Sequence, residues 1–196
     1  MKHEPVPQGE RAALHALNRV GAAYLDGSVL VPTTDGLRSA AALTPAQSLV
    51  GSDGSTARVL RVQKRAVTPT FPAILLRINA GVLGAETVVR VSHGIPILID
   101  HWVCAPLFGI AEALAYAGDF SHAPGVEVDI LKEGEIVELD LDRSTLVTVG
   151  GLRICLEGSL TLRDERPPLP VPLLDAHETY LLGTLPRVMR WSGPKG

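Results

Sequence analysis

Cys104 and Cys155 are the only two cysteines in a chain of 196 residues, and they do not form a CxxC pair. An iron–sulphur cluster takes about four ligands, typically cysteines, so this chain does not hold one by itself. Each cysteine stands among apolar neighbours, which reads as a buried free thiol. Positive charge is also scarce: 18 Lys and Arg against 21 Asp and Glu give a formal net charge of −3, and the basic residues are scattered singly. A phosphate backbone needs a basic footprint, so nucleic acid is not an expected partner. No apolar run reaches membrane-spanning length. The longest stretch, 95–117, is interrupted by Pro96, Asp100, His101, Pro106 and Glu112, too often for a spanning helix. The opening Met1-Lys2-His3-Glu4-Pro5 has no apolar core of the kind a secretory signal carries. These absences together lead to the expectation of a cytoplasmic protein with no membrane partner. There is no Gly-x-Ser-x-Gly elbow and no recognisable cysteine nucleophile motif, so hydrolase chemistry has no positive signal. No internal repeat is found.

Hydrophobic residues make up 46% of the chain and charged residues 20%, the balance of a globular protein rather than a disordered one. The length fits one domain and is enough to bury roughly 70% of the unfolded surface. Residues 8–26 carry apolar positions near helical spacing (Ala12, Leu14, Leu17, Val20, Ala23, Tyr24, Leu25) and predict an amphipathic helix stopped by Gly27. Ser28 to Pro32 reads as a short strand. Residues 33–55 read as loop, with a turn of helix at Pro45 to Leu49. From Ala57 the texture becomes β-like, with strands at 57–67 and 73–78 either side of Thr68-Pro69-Thr70. A glycine-containing segment, 79–84, then leads to a predicted helix at 85–91 and an apolar strand at Ile97-Leu98-Ile99. That order of strand, glycine turn, helix and strand is a βαβ signature. Pro106 to Ala117 predicts a buried helix. Alternating runs from Val126 to Leu162 predict a β-meander. Residues 166–172 read as a proline-rich connector and 176–182 as a short helix.

Two groups of residues carry candidate chemistry. Glycines after a strand let backbone amides approach an anion, so Asn79, Gly81, Gly84, Thr87 and Arg90 form the candidate substrate-binding loop. His93, Asp100, His101 and His122 form the only local cluster of titratable groups. Asp100-His101 closes an apolar strand, where sites of α/β sheets often lie. Such a group suits general acid–base work or a divalent metal, although its spacing matches no zinc motif, and no metal site is assigned. His177-Glu178 reads as helix surface. Glu133 with Glu135, and Asp140 with Asp142, read as solvated carboxylates at strand ends.

The run Gly94-Ile95-Pro96-Ile97-Leu98-Ile99, a helix, and then Leu131 to Asp142 resembles the swivelling β/β/α domains. One family with this pattern is the small subunit of isopropylmalate dehydratase and its aconitase relatives. The other is the mobile domain of phosphoenolpyruvate-utilising enzymes, to which Thr68-Pro69, 88–96 and 131–137 look similar, with Gly84 where that domain carries its phosphorylated histidine. The resemblance implies an α/β fold, a swivelling β/β/α domain with a β-rich C-terminal half. Its limits would be an N-terminal extension at 1–56, the swivelling core at 57–165 and a connector and tail at 166–196. It also implies a substrate-positioning subunit of a hydro-lyase, in which the loop from Asn79 to Arg90 orients a small carboxylate. The partner would be a larger catalytic subunit bearing an iron–sulphur cluster, or a second copy in a homo-oligomer. Alternatives left open are a non-catalytic swivel-fold scaffold, a mobile-domain relative without its histidine, and a metal-assisted enzyme using His93, Asp100 and His101.

Overall fold

Short runs of β-branched and aliphatic residues, cut by Gly, Pro and Asp turns, recur along the whole chain, and strands are what they form. The computed structural model describes residues 23–158 and 169–185. Its strands are β1 (Tyr24–Asp26), β2 (Leu30–Thr33), β3 (Gly36–Ser39), β4 (Ser48–Val50), β5 (Thr56–Val67), β6 (Ala73–Ile78), β7 (Val89–Val91), β8 (Pro96–Ile99), β9 (Ala113–Tyr116), β10 (Val126–Leu131), β11 (Gly134–Leu141), β12 (Thr145–Val149) and β13 (Leu152–Leu156). The α-helices are short: α1 (Cys104–Phe108) and α2 (Ala176–Gly183).

Nine strands form one sheet in the order β10-β6-β7-β1-β11-β5-β4-β2-β3, and four form another in the order β12-β13-β8-β9. Every strand pair in both sheets is antiparallel. A single hydrophobic core joins the sheets, with Leu25, Val31 and Leu76 from the larger and Ile97, Val147 and Ile154 from the smaller in one cluster. At its centre β1 is held on both sides: Leu25 faces Val137 of β11 and Val91 of β7. The Tyr24 hydroxyl donates to the carbonyl of Ile74 at 2.8 Å, and the Tyr24 amide to Ser92 Oγ at 3.0 Å.

The α/β expectation, and the swivelling β/β/α arrangement with it, is corrected by these sheets. No two strands pair in parallel, parallel pairing being confined to the isolated bridges Leu114–Leu173 and Leu141–Gly158, so there is no βαβ crossover among the described residues. β8, taken as the strand closing that unit, lies between antiparallel β13 and β9. The helix expected at Pro106 to Ala117 is two elements. α1 ends at Gly109, left-handed at φ 71°, and β9 follows, with Ala113 opposite Ile99. An all-apolar run fits a buried strand as well as a buried helix, and here it pairs with β8. Where a helix was expected at 85–91, Val89–Val91 is β7. The helix expected over 8–26 ends in a strand instead, since Tyr24–Asp26 is β1, and its residues 8–22 lie outside the described residues. Of the loop expected at 33–55, Gly36–Ser39 and Ser48–Val50 are strands. The texture change at 56/57 is no break in the sheet, because β4 pairs with β5 across it.

The strands expected at 57–67, 73–78 and 97–99 are present. Those from 126 to 156 are present too, but not as a continuous meander. β10 pairs with β6 and β11 lies between β1 and β5, so of these four strands just β12 and β13 form a hairpin with each other. α2 forms where the short helix was expected. Its Asp175 cap accepts from the Glu178 amide at 2.8 Å, and the Glu178 carboxylate accepts from the Asp175 amide at 2.9 Å, a capping box. No helix among the described residues is long and apolar enough to cross a membrane.

Candidate functional site

The structure separates the titratable residues that the sequence places in one cluster. His93 precedes β8 and Asp100 follows it, and a four-residue strand spans about 13 Å. Asp100 is bonded to Arg153 of β13 in an ion pair, both side chains being mostly buried. Its other oxygen, Oδ1, is buried without a hydrogen bond among the described residues. His101 is buried and turned toward its own backbone, its Nδ1 accepting from the Val103 amide at 3.3 Å. Burial pushes both His93 and His101 below the ordinary imidazole range, because the charged form is the one that loses solvation. His122 stacks on Tyr180 of α2 at 4.4 Å. No group of three or more His, Cys, Asp or Glu is placed to hold a metal among the described residues, so the metal-assisted reading with His93, Asp100 and His101 has no constellation behind it. Cys104 and Cys155 are buried and free, and burial pushes the Cys155 thiol up to about 12.

The glycine loop is a closed turn rather than an open cradle. The amides of Asn79, Gly81, Val82 and Ala85 donate to the carbonyls of Gly125, Ala85, Asn79 and Val82 at 2.7–3.2 Å. Those donors are therefore satisfied within the fold. Thr87 and Arg90, further along the segment, do reach an open site. They line a cleft of about 470 Å³ together with Asp26, Ser28, Val29, Leu30, Leu37, Glu86, Val88, Val89, Thr148, Val149, Gly150 and Gly151. Asn79, Gly81 and Gly84 do not line it.

The cleft is built from three pieces of chain distant in sequence. β1 and the turn into β2 bring Asp26, Ser28 and Leu30; the approach to β7 brings Glu86 to Arg90; the β12–β13 hairpin brings Thr148 to Gly151. The hairpin turn ties the last two together, since the Gly150 carbonyl accepts from the Glu86 amide at 2.7 Å and the Thr87 amide at 3.2 Å. Only glycine fits there. Gly150 and Gly151 have φ of +54° and +85°, and a Cβ on Gly151 would lie 2.6 Å from the Glu86 amide nitrogen.

Charge is arranged unevenly inside. Asp26 is 6% exposed, and its Oδ1 accepts from both the amide and the hydroxyl of Ser28, at 2.9 and 2.7 Å. The register that sets Leu25 opposite Val91 carries Asp26 next to Arg90. Arg90 nevertheless turns its Nε to Asp129 of β10, at 2.6 Å. At the mouth stand three exposed aliphatic side chains, Leu30, Leu37 and Val88.

Sequence reasoning found Thr87 and Arg90 but missed Asp26, Ser28 and Glu86. A helix over 8–26 hid the first. The one usable signal was Gly150-Gly151, legible as a turn but not as the wall of a cleft.

No family model matches the sequence, and no curated protein matches it. Among solved structures the chain is similar to a bacterial intein-like domain from Clostridium thermocellum (14% identity, 69% of this chain and 98% of that one, TM-score 0.45). It is also similar to the MchDnaB-1 intein (13% identity, 67% and 98%, TM-score 0.40) and to a DnaB intein from Synechocystis sp. PCC 6803 (13% identity, 71% and 100%, TM-score 0.40). The antiparallel sheets overturn the swivelling-domain resemblance. The hydro-lyase positioning role falls with it, as do the swivel-fold scaffold and the mobile-domain relative.

Proposed function

We propose that this chain is a binding module that holds a small organic molecule in the cleft between β1–β2, the Glu86–Arg90 segment and the β12–β13 hairpin. The observation that carries this reading is the cleft itself. Its volume of about 470 Å³ falls in the range of small-molecule sites, roughly 300–1,000 Å³. It combines apolar walls with few, fixed polar groups, the composition that gives such sites both affinity and orientation. Its wall is rigid by construction, because the Gly150 carbonyl bonds two successive amides. A cytoplasmic setting agrees with two free thiols held in the interior.

Amide shift mapping by NMR tests the reading with 2-phenylethanol, an uncharged probe small enough for the cleft. The expected result is millimolar binding, with shifts concentrated at Thr87, Val88 and Thr148 to Gly151. Those shifts disappear in Thr148→Trp, which fills the cleft from an exposed strand position. Shifts scattered over the surface, or unchanged in Thr148→Trp, overturn the reading.

A further inference from the structure

Resting on that reading, we infer that the cleft selects an organic cation: an ammonium or comparable group seated at Asp26, on an apolar body lying against Leu30, Leu37 and Val88. Three observations lead there. First, the charges are unbalanced. Among the described residues Arg90 is the one cation lining the cleft, and it stands between Asp26, its cross-strand neighbour, and Asp129, which already takes its Nε at 2.6 Å. Glu86 adds a second carboxylate to the lining, so two acidic groups and one guanidinium line the cleft, and that guanidinium is already engaged by Asp129 outside it. Arg77 of β6, which stands opposite Arg90 in the register, is paired with Glu127 of β10 at 3.3 Å, and that pair is neutral.

Second, Asp26 is fixed before any ligand arrives. Ser28 holds Oδ1 with two hydrogen bonds, leaving Oδ2 without one among the described residues. A carboxylate that is 6% exposed, oriented, and lining a cleft gains most from a cationic donor, since charge-assisted hydrogen bonds are about twice as strong as neutral ones. Third, the mouth is apolar. Leu30 is 52% exposed, Leu37 67% and Val88 45%, and side chains of that kind at one rim take a hydrocarbon body rather than a second charge. This makes the fully charged carboxylate ligand expected from the glycine loop the least favoured of the three charge classes, for want of an uncommitted cation.

The test compares 2-phenylethylamine, 2-phenylethanol and 3-phenylpropionate on the whole chain by amide shift titration. The three probes present the same ring with a positive, a neutral and a negative head. The amine is expected to bind about tenfold tighter than the alcohol, the ratio a single charge-assisted hydrogen bond gives, and the carboxylate weakest. Added salt is expected to weaken the amine alone. Asp26→Asn keeps an acceptor for Ser28 and is expected to bring the amine-to-alcohol ratio toward one, while Glu86→Gln at the exposed rim lowers it two- to threefold. Alcohol binding in the cleft with no preference for the amine, or equal or tighter binding of the carboxylate, overturns the cation assignment and leaves the binding module standing. If none of the three probes moves a cleft amide, both fall together.

Discussion

The two groups of charged residues in this fold are built on opposite plans. On the smaller sheet, Asp100 and Arg153 face each other in the interior, mostly shielded from water, and each answers the other's charge. On the larger sheet, Asp26, Glu86 and Arg90 surround an open volume, and the one guanidinium is drawn off toward Asp129. The first arrangement is closed and serves the fold. The second leaves unbalanced charge at a surface that a ligand can reach. A buried ion pair is weak evidence of function, whereas a fixed carboxylate in a cleft has something left to bind.

The most severe way to break the contrast is to remove one member of the closed pair. Arg153→Met leaves Asp100 buried without its counter-charge, with Oδ1 already lacking a partner among the described residues, and is expected to cost about 3 kcal/mol in urea unfolding. The affinity of the folded fraction for 2-phenylethanol should not change. A loss below about 1 kcal/mol would mean that the pair is better solvated than its burial implies. Next in size, Gly151→Ala strikes the cleft wall. A Cβ 2.5 Å from Glu86 Cγ at a φ of +85° should cost about 2 kcal/mol and, unlike Arg153→Met, weaken the probe.

Acidification sharpens the same contrast. Burial holds His93 and His101 below the ordinary value of 6.5, so as pH falls through that value the unfolded chain takes up protons before the folded one does. Stability is then flat above the ordinary histidine range and declines below it. The urea midpoint should be lower at about pH 5.5 than at about pH 7.5, and His93→Gln should reduce the difference. No histidine among the described residues lines the cleft, so 2-phenylethanol should bind the folded protein equally at both values. The smallest effect is expected from Asn79→Ala, within about 0.5 kcal/mol and without change in probe affinity, since Asn79 stands outside the cleft with its amide already bonded to Gly125.

What the sequence made legible depended on whether alternation was long enough to see. β5, β6 and the strands from Val126 to Leu156 were readable because aliphatic residues recur over runs of five or more. β3 and β4 were not, because three or four residues among Ala, Thr and Ser carry too little pattern, and their pairing with β2 and β5 supplies what local preference lacks. The run after Pro106 misled in the other direction: apolar on all sides, it gave no period to tell a strand from a helix. The cleft was the least legible part. Thr87 and Arg90 stood out beside glycines, but Asp26 joins them only through a register between β1 and β7, and the hairpin that closes the wall lies some sixty residues further on. No local motif spans such distances.

The position of β1 also bears on how the molecule comes to be folded. Tyr24 to Asp26 are synthesised well before their partner on one side, β11, whose residues Ile136 to Glu138 come far later along the chain. Until Ile136 to Glu138 arrive, the middle of the nine-stranded sheet has a gap, and Leu25 has only β7 to shelter it. Assembly is thus governed by contacts between residues far apart along the chain, the circumstance that slows folding and lengthens the exposure of unpaired strand edges. Asp26 belongs to that same late-closing strand, so the cleft is complete only once β11 and the β12–β13 hairpin have been made.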